Sequence, residues 1–388
     1  MNDPGAATAP QTALSRPQDE APAPDDAART AGPAAFAARL VAWQARHGRH
    51  DLPWQGGDPY RVWLSEIMLQ QTQVAVVIDY FGRFVARFPT VEALAGAALD
   101  DVLAAWSGLG YYRRARNLHR CAQLVVETHD GAFPRSAAAL AALPGIGDST
   151  AAAIAAFCFG ERSAILDGNV RRVLCRAFGI DAPAGTAATN RRLWTLARSL
   201  LPEGDAIASY TQALMDLGAT ICKPRRPQCA SCPFEADCEA HLAGVEADLP
   251  KRRSRKPHRP RRETVVLWMR SLADDRHWLE KRPPSGIWPG LWSLPQFDAE
   301  AQAVAFATRF GRVEDRRWLE PVRHGFTHFE LTLRPLRVDV DVAPHAADPA
   351  GGAWMRREEA LDSALPAPVR TLLSTGDADA AAVPPTVR

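Results

Sequence analysis

The chain has 388 residues, of which 47% are hydrophobic and 23% charged, and its formal net charge is +2 at pH 7. This length and composition suffice for two or three domains with packed cores. No apolar run reaches the length of a membrane span, and the N-terminus lacks the basic and apolar regions of a secretory signal. We therefore expect a cytoplasmic protein without membrane association, whose seven cysteines are reduced or metal-bound.

The two ends of the chain differ in composition from its middle. Residues 1–32 are rich in Ala, Pro and Asp and poor in large apolar groups, which predicts a disordered tail, and we expect the same of residues 374–388. Residues 249–262 contain many Lys, Arg and Pro residues, which predicts a basic linker. Such a linker is either simply solvated or in contact with phosphates.

A helical pattern extends from Pro33 to His47, and a second follows over residues 61–74. In the second, Glu66 lies beside an apolar face. Burial raises the pKa of a carboxyl group, which suits a proton donor near neutral pH. A surface Glu on an amphipathic helix is the alternative. Residues 80–105 predict two helices with Thr90 as an N-cap.

Two glycine-rich turns come next. Residues 106–117 combine such a turn with two tyrosines and three arginines, a composition that suits backbone contact and an aromatic wedge in stacked bases. The second turn has Gly145, Ile146 and Gly147 before a new helix, with an N-cap expected among residues 148–150. Its backbone N–H groups would bind a phosphate. The alternative for residues 106–117 is a solvated loop, and the alternative for the second turn is an ordinary αα-hairpin.

Four cysteines have the spacing C-x6-C-x2-C-x5-C, which indicates a metal site. An all-Cys site suits tetrahedral zinc or a [4Fe–4S] cluster, although zinc ribbons usually pair two C-x2-C units and only one is present here. The remaining Cys121, Cys158 and Cys175 lie in apolar helical patterns and are expected in the core. The candidate ligands are Cys222, Cys229, Cys232 and Cys238.

The pattern changes at Glu263 from helical to mixed. Residues 264–270 and 331–340 are predicted strands, and helical stretches follow over residues 358–373. We therefore predict a helical domain over residues 33–248 and an α+β domain over residues 263–373.

The strings WLSEIMLQQTQV, GLGYY with RARNL, and LPGIG followed by an Asp-Gly-Asn resemble adenine DNA glycosylases of the MutY type, in the helix-hairpin-helix, endonuclease III superfamily. The resemblance covers about residues 34–373. It implies a mainly α catalytic domain with an iron–sulfur loop at residues 222–238, and a Nudix-like C-terminal domain. The implied reaction is removal of adenine opposite 8-oxoguanine or guanine from double-stranded DNA in base excision repair, by a monomer.

The resemblance also implies roles for single residues. Glu66 falls on the catalytic Glu, Asp167 faces the sugar of the displaced nucleotide, and Asn169 orients Asp167. Gln71 and Tyr111 help to open the duplex.

The glycine turn Gly145, Ile146 and Gly147 implies the phosphate-binding hairpin of this family. Ser149 stands where strand-cutting relatives have a Lys that forms a Schiff base, so base removal without efficient strand cleavage is implied. The cysteine spacing matches the family's cluster loop and implies one [4Fe–4S] cluster per chain.

The segment PPSGIWPGLWSLPQF resembles the opening of a Nudix fold. Hydrolases with the Nudix fold bind magnesium through a cluster of Glu residues. Residues 296–312 contain only Asp298 and Glu300 as acids, so this domain is expected to serve recognition and to lack hydrolase activity. Further on, Phe326, Thr327 and His328 resemble the Phe-Ser-His loop that senses 8-oxoguanine in this family.

Two other functions are compatible with parts of the sequence. One is an oxidised-pyrimidine glycosylase that also cuts the strand, against which Ser149 and the C-terminal domain argue. The other is a lesion binder or redox sensor without catalytic activity, against which the pair Glu66 and Asp167 argues.

Overall fold

The computed structural model describes residues 32–183, 185–251, 260–343 and 351–375. Most of the two predicted tails, and residues 252–259 of the predicted linker, lie outside the described residues. Within the described residues, no helix is both long and apolar enough to cross a membrane.

The N-terminal part is built from helices, as predicted. They are α1 (Pro33–His47), α2 (Pro59–Leu69), α3 (Val74–Arg87), α4 (Val91–Ala95), α5 (Leu99–Ala105), α6 (Arg113–His129), α7 (Ala137–Ala141), α8 (Asp148–Phe159), α9 (Gly168–Ala177), α10 (Ala187–Ser199), α11 (Ile207–Asp216) and α12 (Glu239–Leu242). A π-helical turn, Leu217–Ile221, extends α11.

Side-chain caps explain where several of these helices begin. Asp58 accepts hydrogen bonds from the backbone N–H groups at the start of α2, where Pro59 occupies the first position. Thr90 caps α4 in the same way, as predicted. Asp167 caps α9 by accepting from the N–H of Val170.

The two helices predicted over residues 80–105 are three, α3, α4 and α5, and two predicted helix boundaries are wrong. The helix expected over residues 61–74 ends at Leu69 because Gln71 has a left-handed backbone with φ +59°, and Val74 begins the next helix. The N-cap of α8 is Gly147, without a side-chain cap, rather than one of residues 148–150. Both errors lie in turns, where the chain direction depends on one residue's backbone conformation.

The C-terminal part is one mixed sheet with three helices. The long strand β1 (Arg261–Ser271) begins two residues before the predicted domain start and pairs in parallel with β7 (Glu330–Val342). The sheet has the order β3-β2-β1-β7-β5, with β4 beside β1, β6 beside β7 and β8 beside β2. The other elements are β2 (His277–Lys281), β3 (Trp292–Ser293), β4 (Gln296–Phe297), α13 (Glu300–Ala307), β5 (Gly311–Trp318), β6 (Val322–Gly325), β8 (Gly352–Met355), α14 (Arg357–Asp362) and α15 (Ala367–Thr375).

The described residues contain three hydrophobic cores, and one of them spans both parts of the chain. This shared core joins buried side chains from residues 52–155 to one sheet face and α15 of the C-terminal part. A second core joins α1 to α8–α11 and reaches the cysteine loop, and a third lies between the other sheet face and α13. The N-terminal part is therefore packed around two cores, only one of which it completes alone.

Polar contacts reinforce the boundary between the two parts. The hydroxyl of Tyr112 donates to the backbone oxygen of Leu365 at 2.7 Å. Lys281 forms an ion pair with Asp100 at 2.5 Å. Because Tyr112 follows Tyr111 directly, the predicted wedge turn lies at this boundary.

Candidate active site

A cavity of about 580 Å³ opens between α2, α9, α11 and the loop that follows α1, and both Glu66 and Asp167 line it. This volume lies within the usual range for small-molecule sites. The two carboxyl groups come from residues about a hundred positions apart in sequence, so their meeting is a product of the tertiary fold. The structure thus brings together the two acidic side chains that the sequence analysis selected.

Glu66 sits in the middle of α2, between the fully buried Leu64 and the buried Ile67. Its carboxyl group is buried, and the residue lines the cavity. Burial, and then the nearby charge of Asp167, raises the pKa of Glu66 to about 8. Glu66 is therefore protonated at neutral pH and able to donate a proton into the cavity.

Asp167 is held at the start of α9, where the backbone N–H of Val170 donates to its Oδ1 at 2.7 Å. Burial raises the pKa of Asp167, while the N–H groups of Val170 and Asn169 and the charge of Arg172 act in the opposite direction. Positive ends of helices and arginines favour a carboxylate. Of the two acids, Asp167 is thus the one equipped to carry negative charge.

Asn169 lies in the first turn of α9, close to Asp167, and its expected role in orienting Asp167 stays a prediction. Its Oδ1 accepts a hydrogen bond from Arg172 Nη2 at 2.9 Å, and only its backbone N–H acts on Asp167. Arg172 Nε also donates to the backbone oxygen of Cys222 at 2.7 Å. Asn169 therefore lines the cavity and connects α9 to the cysteine loop through Arg172.

Gln71 and Tyr111 both have left-handed backbones, with φ of +59° and +49°, which is uncommon for residues other than glycine. Tyr111 is also 53% exposed, unusually high for a large aromatic side chain. One guanidinium, that of Arg114, bridges the two turns that contain them. It donates to the backbone oxygens of Ile67, Met68, Gln70, Leu109 and Gly110 and to the hydroxyl of Thr72.

The predicted hairpin joins α7 to α8. Gly145 has φ +82°, and a Cβ there would lie 2.8 Å from the Cβ of Asn117, so this turn requires glycine. The expectation for Ile146 needs correction, because its N–H donates to the oxygen of Leu143 at 3.2 Å and its side chain is buried. The amides available to an anion are those of residues 147–150, where α8 starts.

Ser149 lies in the first turn of α8, beside the segment that leads to Asp167. Its hydroxyl accepts a hydrogen bond from the N–H of Leu166 at 3.0 Å. Position 149 is thus in hydrogen-bond contact with the residue that precedes Asp167.

The four predicted ligand cysteines line one cavity together with Arg176, His241 and Glu246. Burial raises the pKa of Cys232 to about 12 and that of Cys229 to about 11, and the neighbouring thiols add to both shifts. The four converging thiol groups provide the donor set of a metal site, in which binding of the metal would release their protons. Arg176 supports such a site because its Nη1 lies 3.4 Å from Cys222 Sγ, within hydrogen-bond distance of a thiolate.

A second metal-binding arrangement exists within this loop. Cys229, His241 and Glu246 have ligand atoms close enough to share one ion, and His241 Nδ1 lies 2.5 Å from Glu246 Oε1. The sequence analysis did not select His241 or Glu246, because neither stands at a recognisable spacing from the cysteines. All seven cysteines are free thiols, and Cys121 and Cys175 are fully buried as predicted, while Cys158 is half-buried.

The loop of Phe326, Thr327 and His328 connects β6 to β7, far along the chain from the cavity. Phe326 is half-buried and stacks on Phe329 with ring centroids 4.4 Å apart. Thr327 and His328 are exposed. The loop thus exposes the polar side chains of Thr327 and His328 next to the ring of Phe326, which packs on Phe329.

The sequence analysis missed an ion pair at the edge of the cavity. Asp216, fully buried at the end of α11, accepts from the backbone N–H of Arg49 at 2.9 Å and from its Nε at 2.7 Å, and Gln212 Nε2 donates to it at 2.9 Å. This pair fastens the loop with His50 and Gln55, which line the cavity, to α11. The available signal was an acidic residue inside the apolar run LMDLGA, where an unpaired charge is costly.

Models of two known families match the chain in consecutive regions. The HhH-GPD superfamily of base excision DNA repair proteins matches residues 64–199, which include Glu66, Asp167 and the hairpin. The NUDIX domain matches residues 265–375. The mainly α and α+β architecture predicted from the sequence is thereby confirmed.

Curated relatives match nearly the whole chain. The adenine DNA glycosylase of Buchnera aphidicola subsp. Baizongia pistaciae is 34% identical over 342 residues, which cover 87% of this chain and 96% of the relative. The adenine DNA glycosylase of Mus musculus is 34% identical over 394 residues, covering 85% and 76% respectively. Among solved structures, a thermostable thymine-DNA glycosylase is 28% identical with a TM-score of 0.49, covering 54% of this chain and 97% of its own.

Proposed function

The chain belongs to the adenine DNA glycosylase family of base excision repair, and from that premise we propose that it removes adenine paired with 8-oxoguanine or guanine in double-stranded DNA. The observation that carries the proposal is the cavity lined by both Glu66, with its pKa near 8, and Asp167 at the start of α9. One acid is protonated there, and backbone N–H groups and Arg172 stabilise the carboxylate of the other, although burial raises its pKa. Acid-assisted cleavage of an N-glycosidic bond uses such a pair of acids.

The reaction begins with displacement of adenine from the helix, because its glycosidic bond cannot be reached inside the duplex. Displacement costs a few kcal/mol, which contacts to the remaining DNA must offset. Tyr111, exposed on a turn that Arg114 holds, would act as a wedge, and Gln71 would fill the neighbouring space. The adenine then enters the cavity.

Glu66 donates its proton to the displaced base, at N7 by analogy with the family, and protonation makes the base a better leaving group. The sugar becomes positively charged as the bond breaks. Asp167 stabilises this cation through its carboxylate, or captures it transiently, until water adds to the sugar carbon, loses a proton and completes the hydrolysis. The helix start of α9 keeps the carboxylate in place. Asn169 and Arg172 support the same helix start from the cavity wall.

The start of α8 would bind the backbone of the DNA strand. There the amides of residues 147–150 would face a phosphate, and Gly145 permits the tight turn that precedes them. Ser149 has no amine with which to form a Schiff base, so we propose a monofunctional glycosylase. The serine thus argues against the strand-cutting alternative that was considered from the sequence.

We assign the four-cysteine site to one [4Fe–4S] cluster. Cys222, Cys229, Cys232 and Cys238 would be its ligands, with Arg176 as a hydrogen-bond donor to the first. When bound, the cluster would fix the loop after α11 and thereby the Arg172 contact to Cys222.

Preference for the opposite base is assigned to the loop Phe326–His328, named here the reader loop. Adenine is the same in both mispairs, so discrimination has to come from contacts to 8-oxoguanine or guanine. Thr327 and His328 are exposed hydrogen-bonding groups, and Phe326 provides an apolar edge. Such contacts are worth ~1–3 kcal/mol each.

The direct test is a single-turnover assay on duplexes that contain one mispair. We expect release of free adenine from A:8-oxoguanine and, more slowly, from A:guanine, with the strand left intact. Duplexes with thymine opposite guanine or an oxidised pyrimidine serve as controls and should not react. Release of a pyrimidine, or an equally fast strand break, would contradict the proposal.

Metal analysis tests the cofactor. Protein purified without oxygen should contain about four irons per chain, and Cys232→Ser should reduce the iron content. Cys121→Ser is the matched control, since Cys121 lies in the shared core. Stoichiometric zinc without iron would contradict the assignment and favour the zinc alternative left open by the cysteine spacing.

A further inference from the structure

Helix α6 forms a contact with the C-terminal part at the base of the reader loop. The half-buried Arg116 donates from Nη1 to the backbone oxygen of Pro289 at 2.5 Å. Arg116 is five residues after Tyr111, on the helix that begins directly after the wedge turn. A single side chain thus connects the wedge region to the turn of residues 286–291.

Trp288, which precedes Pro289, is held in an unusual conformation. Its φ is +53°, a left-handed backbone that bulky side chains rarely adopt, and it is only 8% exposed. The turn is closed by hydrogen bonds from Leu291 N to Trp288 O and from Gly290 N to Arg282 O, both at 3.1 Å. Strained conformations persist where the surroundings determine them, and they concentrate at functional positions.

The ring of Trp288 packs against the reader loop from below. Its centroid lies 5.7 Å from that of Phe326 and 5.7 Å from that of His324. Phe326 is further enclosed by Phe329 at 4.4 Å and by His324 at 4.8 Å in an edge-on arrangement. Trp288, His324 and Phe329 therefore all pack on the ring of Phe326 and restrict its orientation.

We propose that Trp288 is a positioning residue for recognition of the opposite base. Its indole fixes Phe326, while Arg116 fixes the turn of Trp288 relative to the wedge residue Tyr111. 8-Oxoguanine differs from guanine by one oxygen and one N–H group. To recognise these two groups, the protein must place its hydrogen-bonding partners to within about 0.5 Å. This inference rests on the proposed function. It adds an explanation of how the reader loop is kept at a fixed distance from the wedge residue Tyr111.

An ordinary core role for Trp288 is the competing explanation, and it predicts a different result. Loss of a core side chain lowers the amount of folded protein, which reduces the rates on both mispairs by the same factor. Loss of a positioning residue lowers the ratio of the two rates, because only the contact to the opposite base differs between the substrates. The ratio is therefore the informative quantity.

The experiment compares the full-length wild type with Trp288→Ala and Trp288→Phe in single-turnover assays on A:8-oxoguanine and A:guanine. We expect Trp288→Ala to lower the ratio of the two rates at least tenfold, with the A:guanine rate within threefold of the wild type. Trp288→Phe, which keeps a ring beneath Phe326, should retain most of the ratio. Trp318→Ala is the matched control, because Trp318 is 40% exposed on β5 and packs on Arg334.

The Arg116 contact is tested by Arg116→Met, which keeps the length of the side chain without its donor. We expect a reduction of the ratio by about threefold to tenfold. Arg120→Met is the matched control from the same helix, where Arg120 is exposed and pairs with Glu127 at 3.8 Å. These variants keep the test valid if Trp288→Ala does not fold.

The inference is wrong if Trp288→Ala and Arg116→Met preserve the ratio, or if Trp318→Ala lowers it as much. The triple variant Phe326→Ala, Thr327→Ala, His328→Ala separates this failure from that of the proposed function. If the triple variant loses the ratio while Trp288→Ala keeps it, the reader loop stands and only the positioning role fails. If the triple variant also keeps the ratio, the reader-loop assignment fails and this inference with it.

Discussion

The cavity lined by Glu66 and Asp167 and the reader loop are built in opposite ways. The cavity is formed by helix starts and buried carboxyl groups, and its chemistry depends on pKa values that burial has moved. The reader loop exposes its polar groups on a hairpin and is supported from below by aromatic rings. Proton transfer requires a protected environment, whereas recognition of a base that is already outside the protein requires an accessible edge.

This contrast separates two effects of substitution. Changes in the cavity should alter how fast adenine is released from either mispair. Changes at the reader loop should alter the ratio between the mispairs. The three predictions below test that separation, in order of decreasing effect.

The largest effect is expected for Glu66→Gln, because an amide keeps the shape of the side chain without an acidic proton. We expect adenine release from both mispairs to fall by about 100-fold to 10,000-fold while binding of the duplex is unchanged. Single-turnover rates and equilibrium binding are the measurements. Glu127→Gln, on the exposed side of α6, is the matched control. A variant that remains active would show that another residue donates the proton.

A smaller loss is expected for Arg114→Lys. Lysine keeps the charge but cannot form the forked contacts by which Arg114 bridges the turns of Gln71 and Tyr111. We expect release to slow by about 10-fold to 100-fold on both mispairs, since misplaced opening residues leave adenine in the stack. The measurement is the rate together with the fluorescence of 2-aminopurine in place of adenine. Arg120→Lys should behave as the wild type; an unchanged signal in Arg114→Lys would mean that the bridge is not needed for opening.

The dependence on pH should be the mildest of the three effects within one pH unit of the pKa of Glu66. Glu66 acts in its protonated form, so the rate should fall about tenfold per pH unit above its pKa of about 8. Asp167 acts in its charged form, and because its pKa is raised, activity should also decline in mildly acidic solution. Single-turnover rates between pH 5 and 10 provide the measurement. The reader-loop triple variant should keep the same alkaline midpoint, and a rate that stays constant from pH 7 to 10 would exclude Glu66 as the acid.

Much of this fold follows from local patterns in the sequence. The span of α1, the Thr90 cap and the strands β1 and β7 depend on neighbouring residues, and each was predicted. The parallel pairing of the two strands was not predicted. The break after Leu69 was not, because Gln71 adopts a backbone conformation that its residue type does not demand.

The candidate site shows the same limit. Glu66 and Asp167 were selectable because their sequence neighbours are distinctive. The ion pair of Arg49 and Asp216 was not, since its partners are 167 residues apart and no periodicity relates them. Trp288 belongs to the segment that resembles the opening of a Nudix fold. Its contact with Phe326 could not be predicted, because it forms only when β6 lies beside the turn of residues 286–291.

The shared core also has a consequence for how the chain folds during synthesis. The core around α1 and α8–α11 is complete once the cysteine loop has left the ribosome, whereas the core of residues 52–155 still lacks one wall at that stage. That wall consists of the sheet face and α15, the last helix among the described residues. The half of the enzyme that contains Glu66 therefore reaches its final packing only after translation has passed residue 375, and a shortened chain would expose this apolar surface to aggregation.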